Sequence, residues 1–399
     1  MKEGWSYKKL GEVCETLNGL WKGKKPPFVN VGVIRNANFT KDFTLRFDNI
    51  EYLDVEERQY SKRKLQKGDL IVEKSGGSEK QPVGRAVLFD KENGEFSFSN
   101  FTSVLRIRDK NTFLCEFLYK YLLFIYKRGD TSAMQKATTG IHNIEFEKYL
   151  NIDIPCIPLS EQHSIVSRLD SAFSHIDALK ANAEKQLNEA RKLFQAELTE
   201  CMRPKEGWEE KTLKEVSEIA GEYGLNASSK PFDGVRYLRI TDITDFGYLN
   251  DDKVSANVED GKKQDELVEG DILFARTGAT VGKTLVYRKD FGDCLFAGYL
   301  IRYRLKKDCI LPRFIHYITH SKEYYKWVET NQEAAAQPNI SAKKYNMLFI
   351  RYPNIDVQHR IVSHLDSLSS TIRKLEELQQ KTLAECDALK QAMLREVFE

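Results

Sequence analysis

The chain has 399 residues, of which 30% are charged and 41% are hydrophobic, and its formal net charge is +2. This balance predicts two or three globular domains and excludes a membrane protein or a uniformly polybasic protein, but not local basic patches. The seven cysteines are scattered without a Cys-x-x-Cys pair, and the first residues do not resemble a signal peptide. We therefore expect reduced thiols, no zinc or disulfide framework, and a cytoplasmic location.

The first domain is predicted over residues 1–159. After a short initial helix come runs rich in β-forming residues, bounded by glycine or polar turns, at residues 69–72, 85–88 and 104–107. A helix is expected at residues 114–127, and a short strand at residues 152–154. Together these elements predict an α+β fold with an irregular, mostly antiparallel sheet.

Residues 160–203 are predicted to form one long helix, since Ser160 is a good N-cap residue and no proline or glycine follows until Pro204. Its apolar residues recur at spacings of three or four, typical of a coiled-coil seam. They are Ile176, Leu179, Ala183, Leu187, Ala190, Phe194, Leu198 and Cys201. A helix of about 40 residues spans roughly 60 Å and cannot bury such a seam alone.

The rest of the chain repeats this order, with a second domain at residues 204–355 and a second long helix at residues 356–399. Matching pairs are Gly68-Asp69 with Gly270-Asp271, Val83-Gly84 with Val281-Gly282, and Gln162-His163 with Gln358-His359. Strands are expected at residues 271–274, 284–287, 300–303 and 348–350, and a helix at residues 312–328. We favour antiparallel pairing of the two long helices; packing of each helix on its adjacent domain is the alternative.

Residues 20–67 and residues 222–269, in the middle of each domain, do not repeat well. The framework around them does. We infer two copies of one scaffold that carry different specificity surfaces.

Two sequence patterns resemble nucleotide-dependent enzymes but lack a required part. A phosphate-binding loop would need four residues between Gly278 and Gly282 and a helix afterwards, whereas three residues and a predicted strand stand there. Pro26-Pro27-Phe28 matches the end of the catalytic tetrapeptide of amino-methyltransferases. However, Lys25 stands where Asn or Asp should hold the target amine, and no glycine-rich cofactor loop precedes it.

Two further patterns also fail. Glu73-Lys74 suggests a nuclease cluster but lacks the Glu-x-Lys spacing. His316 and His320 are one helical turn apart, but Tyr317 occupies the position where a zinc protease needs its glutamate. We expect the two histidines to be packing or surface residues.

A candidate nucleic-acid-binding surface remains. After each Gly-Asp strand come a cation, a hydroxyl and a glycine, which suit a phosphate or a base edge, and a second cation follows. Later loops offer amides, which can pair bidentately with adenine, and lysines of the first variable segment add charge. The candidates are Lys22, Lys24, Lys25, Lys74, Ser75, Arg85, Asn143, Arg276, Thr277, Lys283, Gln337 and Asn339. Ordinary turn, strand-capping and solvated roles stay open for all of them.

The doubled order of these motifs resembles the specificity subunit of Type I restriction–modification systems, over essentially the whole chain. The resemblance implies two target-recognition domains, an antiparallel coiled coil, and a bipartite double-stranded DNA target. It also implies a non-catalytic subunit that needs no cofactor and docks two methyltransferase subunits. In the family those subunits use S-adenosylmethionine on adenine, and ATP-driven translocase–nuclease subunits join the full complex.

The second copy matches the family pattern more closely, at residues 275–278 and 337–340, than the first copy does at residues 73–77 and 141–144. Val357 replaces the usual glutamate at the start of the second long helix. Two other functions stay open: a stand-alone DNA-binding scaffold or repressor, and a self-contained modification enzyme. The missing cofactor loop and catalytic tetrapeptide argue against the enzyme.

Overall fold

The computed structural model describes residues 2, 4–20, 23–79, 81–138, 141–258, 266–332 and 337–399. They form two compact units, one of Met1–Ala183 with Gln380–Glu399 and the other of Glu184–Gln379. Each unit contains one set of strands and a part of both long helices. No helix in these ranges is long and apolar enough to cross a membrane.

The described elements follow the repeated order. In the first unit the strands span Ser6–Lys9, Cys14–Asn18, Phe28–Ile34, Glu51–Glu56, Leu70–Glu73, Ser75–Gly77, Ala86–Leu88, Phe96–Phe98, Thr102–Ile107, Gln135–Thr138, Ile141–Ile144 and Asp153–Cys156. The short helices of this unit span Leu10–Val13, Glu57–Ser61, Cys115–Arg128 and Phe146–Leu150. In the second unit the strands span Glu209–Thr212, Ser217–Tyr223, Ser229–Pro231, Arg236–Leu238, Val254–Ala256, Ile272–Ala275, Thr284–Val286, Cys294–Phe296, Leu300–Leu305 and Phe349–Tyr352, and the short helices Pro312–Ile318, Lys322–Asn331 and Ala342–Asn346. The long helices span Leu159–Cys201 and Ile355–Phe398.

A four-stranded antiparallel sheet lies at the centre of each unit. Its order is Cys14–Asn18, Thr102–Ile107, Leu70–Glu73 and Ala86–Leu88 in the first, and Ser217–Tyr223, Leu300–Leu305, Ile272–Ala275 and Thr284–Val286 in the second. One parallel pair accompanies each sheet, Phe28–Ile34 with Phe96–Phe98 and Arg236–Leu238 with Cys294–Phe296. The predicted α+β fold with a mostly antiparallel sheet is therefore confirmed.

The repeated Gly-Asp turn holds a buried ion pair in each unit. The glycine before each aspartate has a positive φ, +94° and +92°, which favours glycine. Asp69 accepts hydrogen bonds of 2.7 and 2.8 Å from Arg106, and Asp271 accepts bonds of the same lengths from Arg304. Both carboxylates are buried. The motif is thus structural, because it ties the start of one sheet strand to its neighbour.

The middle segments of the two domains do not repeat well in sequence and differ in strand pairing, yet they share one turn and one bridge. The amide of Arg35 donates to the side chain of Asn38 at 2.8 Å, and the amide of Arg239 donates to Asp242 at 2.8 Å. An isolated antiparallel bridge follows in both, Phe39 with Leu45 and Ile243 with Leu249. This equivalence is not visible in the sequences, because two different residues, asparagine and aspartate, accept the same hydrogen bond.

Two predicted helices differ in the structure. The single helix expected at residues 312–328 is wrong: Pro312–Ile318 ends, and Lys322–Asn331 begins after a turn. Ser321 starts the second helix, because its hydroxyl accepts a 3.2 Å bond from the amide of Tyr324. The short initial helix forms only in the first unit, and residues 213–216 of the second unit make a turn instead.

In the first unit the long helices pair antiparallel and also pack on the domain. Lys180 lies 2.5 Å from Asp387, and Lys390 lies 2.5 Å from Asp177. The hydrophobic core includes three residues from the start of one helix and three from the end of the other. They are Ile165, Leu169 and Phe173, and Leu394, Val397 and Phe398. Both packing arrangements considered from the sequence thus occur in this unit.

The second unit contains the opposite ends of the same two helices. Arg191 lies 2.6 Å from Glu376, and Phe194, Leu198 and Leu365 share an apolar cluster. Antiparallel pairing therefore occurs in this unit as well.

The predicted coiled-coil seam is only partly buried. Ile176, Leu187, Phe194 and Leu198 are buried, whereas Leu179 is 57% exposed. The expectation that Leu179 lies in the seam is therefore wrong. A 3.5-residue spacing indicates which face of a helix tends to contact its partner, but it does not guarantee that every residue at that spacing is buried. Other apolar residues of the helix can occupy the contact face instead.

A buried glutamine joins each long helix to its domain. The side-chain oxygen of Gln162 accepts a 2.9 Å bond from the amide of Leu114, the N-cap of the helix Cys115–Arg128. Gln358 does the same for the amide of Leu311 at 2.9 Å. Each glutamine nitrogen also donates to two backbone carbonyls. The repeated Gln-His motif therefore satisfies helix-end groups that would otherwise be buried without partners.

Candidate nucleic-acid interface

In the first unit the predicted cation, hydroxyl and amide lie together. Ser75–Gly77 forms a short strand directly after Lys74, and it pairs with Ile141–Ile144. The register places Ser75 opposite Asn143. The amide of Ile144 donates a 2.8 Å bond to the carbonyl of Lys74. Lys74, Ser75 and Asn143, which are distant in sequence, are thus neighbours at one strand end.

The second unit builds the same arrangement from different residues. Thr277 forms an antiparallel bridge with Asn339, and the amide of Ile340 donates a 2.8 Å bond to the carbonyl of Arg276. The guanidinium of Arg276 also donates to the Asn339 side chain at 3.2 Å. Cation, hydroxyl and amide therefore occupy equivalent places in both units.

Glycine is required after each hydroxyl residue. Gly76 has φ +104° and Gly278 has φ +69°, values that other residues rarely adopt. A Cβ atom at Gly278 would lie 3.6 Å from the side-chain nitrogen of Gln337, so the exposed Gln337 borders this turn. The two loops, residues 74–76 with Asn143 and residues 276–278 with residues 337–339, are called the strand-end loops below.

The cation of each strand-end loop contacts the last residue of the sheet's outer strand, two strands away from the strand that precedes the cation. The ammonium of Lys74 lies 3.4 Å from the side-chain oxygen of Asn18. The guanidinium of Arg276 lies over the ring of Tyr223, 4.8 Å from its centroid, in a cation–π contact. Burial lowers the pKa of Lys74. Both cations are half-buried and held in place.

The second cations face acidic partners. Arg85 donates 2.8 and 3.1 Å bonds to both carboxylate oxygens of Glu73, and the two side chains are 10% and 3% exposed. Lys283 lies 2.6 Å from Asp245, whose side chain is 85% exposed. For Arg85 to contact DNA, its buried ion pair with Glu73 would have to break. Lys283 would only have to exchange its exposed partner, Asp245, for a DNA phosphate. Both assignments stay predictions.

The lysines of the first variable segment lie elsewhere. Lys24 and Lys25 are exposed on a bend before the strand Phe28–Ile34. The backbone amide of Lys25 donates to the Glu56 carboxylate at 3.4 Å. Lys22 lies outside the described residues. These three candidates also stay predictions.

Four supporting residues were missed in the sequence. Asn18 and Tyr223 support the cations, and the exposed rings of Phe101 and Tyr299 lie beside the strand-end loops. Phe101 and Tyr299 are 198 residues apart, the same offset as Val83 and Val281. Extending that alignment along the next strand would have found them. Asn18 and Tyr223 share neither residue type nor a matching motif, so only the strand pairing relates them.

The loop that resembles a phosphate-binding motif has a different structure. Gly278–Thr280 is a single 3-10 turn, and Thr284–Val286 is a strand of the central sheet. The strand expected from the sequence is confirmed. A helix N-terminus, which would hold the phosphates in such a motif, does not follow in this part of the described chain.

The two histidines considered as zinc ligands are packing residues. His316 is buried, its ring lies 4.3 Å from that of His320, and the Nδ1 atom of His320 lies 2.7 Å from the carbonyl of His316. Burial lowers the pKa of both imidazoles. This environment favours their neutral forms.

One set of metal-ligand side chains is found among the described residues. Glu197, Cys201 and His364 have ligand atoms within 4.8 Å of one another. The imidazole of His364 lies 3.3 Å from the Glu197 carboxylate and bridges the two long helices. Burial, and then the charge of Glu197, raise the pKa of the Cys201 thiol. The three side chains therefore form a contact between the two long helices within the second unit.

Known proteins resemble the chain over its whole length. A model of the Type I restriction modification DNA specificity domain matches residues 2–189 and 205–384. The chain is 26% identical to the Type I restriction enzyme EcoKI specificity subunit of Escherichia coli (strain K12), covering 100% of this chain and 89% of that protein. It is 24% identical to the StySPI specificity subunit of Salmonella potsdam, with the same coverage.

Solved structures share the fold. One is a chain of a structure described as the structural basis of complex assembly and conformational transition of the type I R-M system. It superposes with a TM-score of 0.77 at 20% identity, and the match covers 100% of this protein and 98% of that chain. The HsdS subunit from Thermoanaerobacter tengcongensis gives 0.57 at 21% identity, covering 100% of this chain and 97% of that chain.

Proposed function

The chain belongs to the Type I restriction-modification DNA specificity family, and from this membership we propose that it recognises a two-part DNA target and directs methyltransferase subunits to it. Members of the family are specificity subunits, so the chain is not itself an enzyme. Each domain reads one half of the target. We further propose that the chain acts on cellular DNA in the cytoplasm.

The observation that carries this proposal is the strand-end loop, which is built twice. Each copy holds a cation, a hydroxyl and an asparagine amide within one hydrogen-bonded loop. Cations and hydroxyls suit phosphates, and an asparagine amide can pair with the edge of adenine. The copies differ at the cation and hydroxyl, Lys74 and Ser75 against Arg276 and Thr277. A shared loop with different side chains supports two related readers of two different sequences.

The chemistry belongs to the partners in this proposal. Two methyltransferase subunits would bring S-adenosylmethionine and methylate adenine, and translocase–nuclease subunits would bring ATP and magnesium. The chain itself would need no cofactor. The strand Thr284–Val286, which follows the loop where a nucleotide-binding motif would need a helix, supports this division of roles.

The proposal predicts how DNA binding responds to salt and to the partner. The chain alone should bind DNA weakly, and the logarithm of its affinity should fall steeply with the logarithm of salt concentration, because phosphate contacts release counterions. With the methyltransferase subunit, binding should become sequence-specific. Fluorescence anisotropy on random duplexes and on duplexes selected from a library, at several salt concentrations, measures both effects.

A stand-alone DNA-binding scaffold or repressor predicts a different outcome. Tight, sequence-specific binding by the chain alone, unchanged when the methyltransferase subunit is added, would favour that function. It would contradict the role of the chain as a guide for partner subunits.

A further inference from the structure

Phe101 and Tyr299 are large rings that folding leaves in solvent. Their exposed fractions are 55% and 58%. Each stands directly before the sheet strand that lies next to a strand-end loop, Thr102–Ile107 in the first unit and Leu300–Leu305 in the second. An isolated exposed aromatic residue needs no explanation. Two at equivalent positions of two divergent copies call for a shared role.

Backbone hydrogen bonds join Phe101 and Tyr299 to the cation residues of their strand-end loops. The amide of Lys74 donates a 2.9 Å bond to the carbonyl of Phe101, and the amide of Arg276 donates a 3.0 Å bond to the carbonyl of Tyr299. The aromatic residue and the cation are thus direct neighbours across the strand end in both units. Any phosphate bound by the cation would bring the adjoining bases within reach of the ring.

The turn that carries each ring is closed by a further bond. The amide of Thr102 donates to the carbonyl of Ser99 at 3.1 Å, and the amide of Leu300 donates to the carbonyl of Ala297 at 2.8 Å. In the first unit the hydroxyl of Thr102 adds a 2.8 Å bond to the same Ser99 carbonyl. These bonds order the backbone that carries each ring before any ligand arrives, which limits the backbone entropy lost on binding.

The rings are also free to stack. Among the described residues, no other aromatic ring and no cation packs against the ring of Phe101 or Tyr299. Every base has a π-face, so an available ring beside a phosphate-binding cation suits a base step whatever its sequence. Proteins that bind the minor groove insert apolar side chains, phenylalanine among them, between base steps and kink the duplex.

We propose that Phe101 and Tyr299 are base-stacking wedges, each inserted at one base step of the half-site that its own domain reads. The inference rests on the proposed function, because it assumes that the strand-end loops meet DNA. The stacking contact would not depend on which base is present. It would depend on how easily the base step unstacks. Each half-site would therefore contain one distorted step next to the phosphate held by Lys74 or Arg276.

The test uses the complex with the methyltransferase subunit and a duplex containing 2-aminopurine at successive positions of each half-site. Apart from the adenine that the methyltransferase extrudes for methylation, the wild-type complex should raise the fluorescence at one step in each half, because an unstacked 2-aminopurine is brighter. Tyr299→Ala should abolish the signal in one half only and weaken DNA binding about five- to 150-fold. Phe101→Ala should do the same in the other half, and Tyr299→Phe should restore the signal.

Phe349→Ala is the matched control, because Phe349 is 60% exposed and lies in the strand that pairs with Glu209–Thr212, not in a strand-end loop. It should leave binding and fluorescence unchanged. Thermal unfolding of each variant checks that the domain is intact.

Normal binding and normal fluorescence in Tyr299→Ala and Phe101→Ala would overturn the wedges while leaving the proposed function in place. Failure of these variants to assemble with the methyltransferase subunit, with DNA contacts intact, would assign the rings to a protein contact and also overturn them. If the wild-type complex shows no sequence-specific binding, the proposed function itself fails.

Discussion

Replacing Asp271 with alanine is expected to lower the free energy of unfolding of the second unit by about 3–5 kcal/mol. Asp271 is fully buried and accepts two bonds from Arg304, and the Nη1 atom of Arg302 lies 3.7 Å away. The side chain of Arg302 is also fully buried. Removing the carboxylate leaves this guanidinium with one partner fewer in the interior, and the amide of Val268 loses its acceptor.

Hydrogen exchange of the full chain, followed by mass spectrometry, measures this effect locally. Protection of the strand Ile272–Ala275 should fall, while the strand Leu70–Glu73 of the first unit should be unaffected. Asp290→Ala is the matched control: Asp290 pairs with Arg288 and both side chains are 57% exposed, so the change should stay below about 1 kcal/mol. An equal loss in both variants would contradict the structural role of the Gly-Asp motif.

Arg276→Ala is expected to damage recognition of one half of the DNA target and to spare the other. Losing a guanidinium that contacts a phosphate or a base edge costs about 1–3 kcal/mol, which corresponds to about a five- to 150-fold weaker complex. Arg276 is held over the ring of Tyr223 and against Asn339, so alanine also removes the group that positions this amide. Binding of duplexes with single changes in either half measures the loss.

Lys74→Ala should mirror this result in the other half, because Lys74 occupies the equivalent loop. Arg351→Ala controls for loss of charge alone, since Arg351 is 60% exposed and paired with Glu210 outside both strand-end loops. Equal damage to both halves from either loop variant would contradict two separate readers.

Much of the fold follows from the sequence because repetition and periodicity are strong signals. The long helices are marked by unbroken apolar spacing, and Gln162 and Gln358 mark their equivalent starts. The central strands are marked by the two Gly-Asp turns. Equivalent positions are harder to recognise where different residues make the same hydrogen bond, as Asn38 and Asp242 do.

The candidate site was harder to predict because side-chain partners come from distant parts of the chain. Arg85 and Lys283 align, but Glu73 stands beside Arg85 where the second copy has Ala275, and only packing shows that a buried ion pair results. Leu179 fits the helical spacing yet lies at the surface. Residue type and spacing identify a face or a loop, whereas burial and pairing depend on the elements that pack against it.

Mapping methylated adenines in host DNA tests whether the chain directs methylation to a two-part target. The chain is expressed with a candidate methyltransferase subunit, and methylation is read at every adenine by single-molecule sequencing. Two separate readers should give a motif of two short sequences separated by a constant number of unspecified base pairs, and Arg276→Ala should relax one of the two. A single continuous motif, or methylation that does not depend on the chain, would contradict the proposed function.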